Sequence, residues 1–151
     1  MKVLSIIITS PNYSASGAVT AAKNLSLATS EFCDMRLAIM GENNFEEEIG
    51  KLKIKSFKCK NKLPLPLTIL SNQIKNSFWT SDINQFIINF QPDLVHFHNP
   101  VPPIELWKLA KVCLKYKIPY VISSHGFVEM FEFKKSYNIG FLKGLAIKKM
   151  V

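Results

Sequence analysis

Val3-Leu4-Ser5-Ile6-Ile7-Ile8-Thr9 is a near-continuous run of branched apolar residues, stopped by Ser10-Pro11-Asn12 and followed by Val19, Ala22, Leu25, Leu27 and Ala28 at helical spacing. A strand with apolar residues on both faces belongs inside a parallel sheet, covered by helices above and below. The residues from Tyr13 to Gly17 are mostly small and polar, as a connecting loop requires, so the chain opens strand, loop, helix.

The unit recurs along the chain. Met35 to Met40 reads as a second strand ending at Gly41, and Lys53 to Lys58 as a short third strand near an edge. After Pro64 and Pro66, the apolar residues Ile69, Leu70, Ile74 and Phe78, then Ile83, Phe86, Ile87 and Phe90, predict one or two helices. They divide near Trp79-Thr80-Ser81-Asp82, where Ser81 or Asp82 can cap the second. Asp93-Leu94-Val95-His96-Phe97-His98 is a fourth strand closed by Asn99-Pro100; Pro102-Pro103 then starts a helix through Leu106, Leu109, Ala110, Val112, Cys113 and Leu114. Ile118 to Ser123 is a fifth strand, and Ile139 to Val151 reads as a helix weakened by Gly140 and Gly144. Strands and helices alternating at this spacing predict an α/β fold: a doubly wound parallel sheet with helices on both faces and right-handed crossovers.

Composition fits one domain. The chain has 151 residues, 48% of them hydrophobic and 20% charged, which excludes a disordered segment. A chain of that size buries roughly two-thirds of its unfolded surface and needs no metal or disulfide to fold. Cys33, Cys59 and Cys113 are odd in number and widely spaced, the pattern of reduced thiols in a cytoplasmic protein. The net charge is +8, yet 18 of the 19 cationic residues are Lys and only Arg36 supplies the guanidinium fork that nucleic-acid readers favour. Nucleic acid is therefore not an expected partner. Six Lys lie between Lys51 and Lys62, downstream of Glu42, Glu46, Glu47 and Glu48. That run is read either as a solvated edge strand or loop, or, together with Lys143, Lys148 and Lys149 among the apolar residues of the terminal helix, as a basic surface facing anionic lipid.

Ligands of open parallel sheets bind beyond the carboxyl ends of the strands, where strand order reverses. That rule selects Ser10 to Gly17, His98-Asn99-Pro100 and Ser124-His125-Gly126. The first loop lacks the spacings of dinucleotide and P-loop nucleotide sites, and Gly17 is read either as a plain turn residue or as part of a phosphate-receiving helix start. His96 and His98, two apart on a strand, share a face, and His125 comes near them if the fourth and fifth strands are neighbours. No acidic or cysteine partner stands at metal-ligand spacing, so no metal is expected. His96 reads as a hydrogen-bonded interior histidine, and His98 as either structural or ligand-facing. His125 is the first choice of functional residue: it follows a strand end and precedes Gly126, which lets a hydroxyl-rich or phosphate-bearing ligand approach.

With Met1-Lys2-Val3-Leu4, the Ser16-Gly17 loop, Gln91-Pro92-Asp93-Leu94-Val95-His96-Phe97-His98 and Ile118 to Gly126 in view, the chain resembles the N-terminal half of GT-B glycosyltransferases. The match is to the family 4 type that builds bacterial surface polysaccharides. The resemblance implies a Rossmann-like half of a GT-B fold and metal-independent, retaining transfer from a nucleotide diphosphate sugar, without a cofactor. Residues 1–151 would then form an acceptor-side domain, incomplete at its C-terminal end, while a separate domain binds the donor. It assigns His125 to the cleft as catalytic residue but not nucleophile, Ser16 and Gly17 to the phosphate side, His98 and Asn99 to the acceptor side, and Gly126 to the cleft. Ser16 stands where that family typically carries a second glycine. The implied partners are a glycan or polyprenyl-linked acceptor, a separate donor-binding domain and an anionic membrane on its cytoplasmic side. These residues alone are expected not to turn over. The other readings are a non-catalytic acceptor-binding or membrane-docking subunit of a split enzyme, and an inactive fragment. A flavodoxin-like regulator would need acidic residues at the strand ends, and Asp93 instead begins a strand.

Overall fold

The computed structural model describes residues 1–8, 17–41, 43–58, 60–61, 78–79, 81–98 and 103–124. Along the chain these form β1 (Lys2–Ile8), α1 (Gly17–Ser30), β2 (Asp34–Gly41), β3 (Phe45–Ile49), β4 (Leu52–Lys58), β5 (Lys60–Asn61), β6 (Phe78–Trp79), α2 (Ser81–Phe90), β7 (Leu94–His98), α3 (Pro103–Lys115) and β8 (Tyr120–Ser123). Six strands make one sheet in the order β3-β4-β2-β1-β7-β8, and β5 pairs with β6 in a separate antiparallel ribbon. Within the main sheet, β4, β2, β1, β7 and β8 are mutually parallel and β3 is antiparallel on β4. The five strands expected from sequence therefore run third, second, first, fourth, fifth. Consecutive order reverses between β1 and β7, as in a Rossmann-like half-fold.

The alternation of β1 decides how the layers form. Leu4, Ile6 and Ile8 join Phe97, Ile83, Ile87, Leu106 and Cys113 in the core beneath α2 and α3. Val3 and Ile7 face the other way, into a second core with Val19 and Ala22 of α1 and Leu37 and Ile54 of the neighbouring strands. Residues that alternate along a strand point to opposite faces, so one apolar run supplies both cores.

The helices are stopped by backbone geometry. Gln91 (φ 50°) and Lys117 (φ 55°) take the left-handed conformation just past α2 and α3. After α3, the Ile118 amide donates to the Cys113 carbonyl at 2.8 Å and the Lys117 amide to the Leu114 carbonyl at 3.2 Å, the paired bonds of a Schellman cap. Asp93 ties the start of β7 to the start of β1: its carboxylate accepts from the Lys2 amide at 2.7 Å, and its own amide donates to the Lys2 carbonyl at 2.8 Å. The Pro-Asp of the sequence motif thus serves strand alignment.

Two expectations change. The third strand, expected near an edge, is β4 and lies second from it; the reading of its Lys run as the edge strand itself gives way to β3, an edge strand absent from the sequence reading. Glu46 and Glu48 sit directly opposite Lys55 and Lys53, with N–O separations of 2.6 and 4.0 Å, and Lys51 reaches Glu31 at 2.8 Å. Half of the Lys run is therefore matched by carboxylates. The Lys55 ammonium holds the Glu46 carboxyl below its ordinary range, by hydrogen bond and by charge. Arg36 is used within the fold, its guanidinium 4.1 Å from the centre of the Phe90 ring. Phe78, read from sequence as helical, instead lies in β6, paired with Asn61 of β5; the residues of that helix before it and the helix over Ile139 to Val151 lie outside the described residues.

Candidate functional site

Val95 and Phe97 of β7 point into the α2–α3 core, so the alternation turns His96 and His98 to the α1 face. Their rings stack obliquely, 3.9 Å between centres and tilted by 37°. Beside them stands Ser5, a polar residue in the otherwise apolar β1. Ser5 and His98 are both fully buried, and the Ser5 hydroxyl lies 3.2 Å from His98 Nε2. On the far side, His96 Nε2 lies 2.7 Å from the Ser123 hydroxyl of β8. In register Ser5 pairs with His96 and His98 with Ser123, so each hydroxyl–imidazole bond crosses a strand boundary diagonally. The imidazole tautomers fix which partner donates.

This chain of polar groups spans the switch point. Ile7, His98 and Ser123 form one row across β1, β7 and β8, at the ends from which the three loops chosen by sequence depart. The fourth and fifth strands of the sequence reading, β7 and β8, are neighbours. Gly17 is the first residue of α1; a side chain there would meet nothing within 4 Å, and the first turn carries no acidic residue. Among the described residues, then, neither a side chain nor an acidic group of its own first turn crowds the start of α1, where free backbone amides favour an anion. Ser16, Asn99, His125 and Gly126 lie outside the described residues.

Of the sequence candidates, His98 is brought into a buried hydrogen-bonded cluster, and His96 is bonded as an interior histidine should be. Ser5 and Ser123 were missed. The signal for Ser5 was present, as a hydroxyl interrupting a strand apolar on both faces, where a buried polar group requires a partner. Among the described residues no three His, Cys, Asp or Glu side chains converge as a metal site. Cys33 and Cys113 are free thiols, and burial pushes the Cys113 thiol up to about 11.

The model of the family described as glycosyl transferase 4-like matches residues 26–151. The chain belongs to the glycosyl transferase 4-like family. The match begins inside α1, and the switch-point geometry shows that β1, which precedes it, is integral to this glycosyl transferase 4-like domain: it sits between β2 and β7 and supplies Ser5. No curated protein matches the sequence. Among the described residues no helix is long and apolar enough to cross a membrane.

Proposed function

We propose that this domain supplies the acceptor side of a retaining, metal-independent glycosyl transfer from a nucleotide diphosphate sugar to a glycan or polyprenyl-linked acceptor of surface polysaccharide synthesis. The observation that carries the reading is the cluster of the buried Ser5–His98 pair and the half-buried His96–Ser123 pair at the strand-order reversal of a family member. In the reaction the bond from the sugar C1 to the diphosphate oxygen breaks, a bond from C1 to the acceptor oxygen forms on the same face, and the acceptor hydroxyl proton passes to the departing diphosphate oxygen. Negative charge grows on the diphosphate, so catalysis rests on donors fixed in advance toward it. The start of α1 at Gly17 with Ser16 offers one set, and a separate donor-binding domain offers the larger. His125 and Gly126 approach the transferred sugar, while Asn99 and the edge held by His98 border the acceptor. The cationic residues Lys143, Lys148 and Lys149 hold the domain at an anionic membrane on the cytoplasmic side, where a polyprenyl-linked acceptor resides.

Sugar transfer from labelled nucleotide diphosphate sugars to a polyprenyl-linked acceptor tests this. Residues 1–151 alone should give none, and adding a donor-binding domain of the same family should restore transfer. His125→Ala should then lower kcat by at least tenfold, whereas Gly17→Ala should lower transfer with an unchanged melting temperature. Turnover by the 151 residues alone would remove the acceptor-only assignment, and transfer indifferent to His125→Ala would remove the cleft assignment.

A further inference from the structure

A groove of about 530 Å³ lies between the β3–β4 hairpin and α2, away from the histidine cluster. Its size falls within the roughly 300–1,000 Å³ of small-molecule sites. One wall carries Asn44 and Phe45 and the other Gln85, Phe86 and Asn89, with Phe57 between them. Phe45 is 43% exposed on the edge strand, while Phe57 and Phe86 meet at 5.4 Å with planes inclined by 56°. Phe45 supplies the exposed aromatic surface beside the amides, while Phe57 is buried and the Lys55 ammonium lies 5.7 and 5.8 Å from the centres of the Phe57 and Phe86 rings.

That lining selects a class of ligand. An amide offers a donor and an acceptor in one plane, which suits the paired hydroxyls of a sugar. An aromatic face suits the C–H side of the same ring. The charged groups of the lining are Glu46, Asp82 and Lys55, and Glu46 already binds the Lys55 ammonium at 2.6 Å. Carboxylates outnumber the single ammonium, so phosphates and anionic lipid headgroups are disfavoured. Asn44 Oδ1 already accepts from the Lys58 amide at 2.6 Å and Gln85 Nε2 donates to Asn89 Oδ1 at 2.7 Å, and a purely apolar partner would desolvate the other polar atoms of these amides without compensation.

The groove also lies at a useful level of the sheet. Ser56 of its lining pairs with Ile39, Ile39 with Ile7, and Ile7 with His98, so groove and histidine cluster lie at one level of the sheet, on opposite faces: Phe57 and Phe86 belong to the α2 side and the two histidines to the α1 side. Three strand steps, roughly 14 Å, separate their backbones within the sheet, and an extended glycan reaches both by passing over the carboxyl ends of the strands. We infer that the hairpin–α2 groove is a glycan-binding subsite that holds an uncharged pyranose segment of the acceptor, remote from the reacting hydroxyl. The inference rests on the acceptor-side reading, but its test does not use transfer.

The test is titration of the isotope-labelled chain, followed by side-chain amide resonances. The probes are maltotriose, cellotriose and chitotriose, with inorganic phosphate and glucose 1-phosphate as anionic comparators. At least one neutral trisaccharide should shift the Asn44, Gln85 and Asn89 amides saturably at millimolar concentration, and the anions should not. The variant Gln85→Ala with Asn89→Ala should bind that sugar at least tenfold more weakly. Among the described residues it loses one surface bond, from Gln85 Nε2 to Asn89 Oδ1 at 2.7 Å, and its backbone spectrum should otherwise match the parent. No shift with any neutral sugar, equal shifts with phosphate, or undiminished binding by the variant would overturn the proposal. Sugar binding without any transfer in the reconstituted assay would count against the transfer reading and leave the groove standing.

Discussion

Ser5 shows how much one hydroxyl can decide. In a strand of Ile, Leu and Val it is a liability unless satisfied, and the 3.2 Å contact with His98 satisfies it within a fully buried pair. Ser5→Ala should cost about 1–3 kcal/mol by urea denaturation with an unchanged m-value, because a buried ring nitrogen loses a partner that water cannot replace. Ser123→Ala should cost less, since His96 is only half-buried. Cys113 makes the second residue-level case. Its thiol is fully buried and pushed up to about 11, while the unfolded chain ionises near an ordinary value of about 8.5. Between those values only the unfolded state releases the proton, so stability should hold below about pH 8 and fall by up to roughly 3 kcal/mol as pH approaches 11. Denaturation across pH 7 to 11 should show that slope in the parent and a flatter one in Cys113→Ala.

Among the elements, α1, β1, β2, β7 and α3 carried their identity in apolar periodicity, and β3 did not. Phe45-Glu46-Glu47-Glu48-Ile49 is exposed throughout and has no buried face from which a period could arise. It is a strand because its backbone pairs with β4 from Phe45–Ser56 to Ile49–Leu52, with Glu46 and Glu48 opposite Lys55 and Lys53 as a minor addition, contacts invisible until β4 is in place. The cap of α3 is the opposite case, a local device with a local cost. Lys117 sits at φ 55°, a conformation that burdens any residue with a Cβ. Lys117→Gly should raise stability by about 0.5–1 kcal/mol in thermal or urea unfolding, with no change in the near-ultraviolet spectrum.

For the whole molecule, net charge of +8 and three converging strand ends take their meaning from arrangement. Lys51, Lys53 and Lys55 face Glu31, Glu48 and Glu46, so they contribute little field to a membrane. In co-sedimentation with anionic vesicles, Lys143→Gln, Lys148→Gln and Lys149→Gln together should lower the bound fraction severalfold. The same change at Lys51, Lys53 and Lys55 should have a much smaller effect, and parent binding should weaken with salt. Equal loss from both sets would contradict the assignment of the membrane side. The sequence by itself determined the alternation of strands and helices, the two-faced burial of β1 and the common face of His96 and His98, because side-chain periodicity records which faces meet water. Only the tertiary structure decided that β1 lies between β2 and β7, that Ser5 meets His98, and that an acidic edge strand walls a groove against α2. Strand partners lie dozens of residues apart, and no local period encodes which of them closes the sheet.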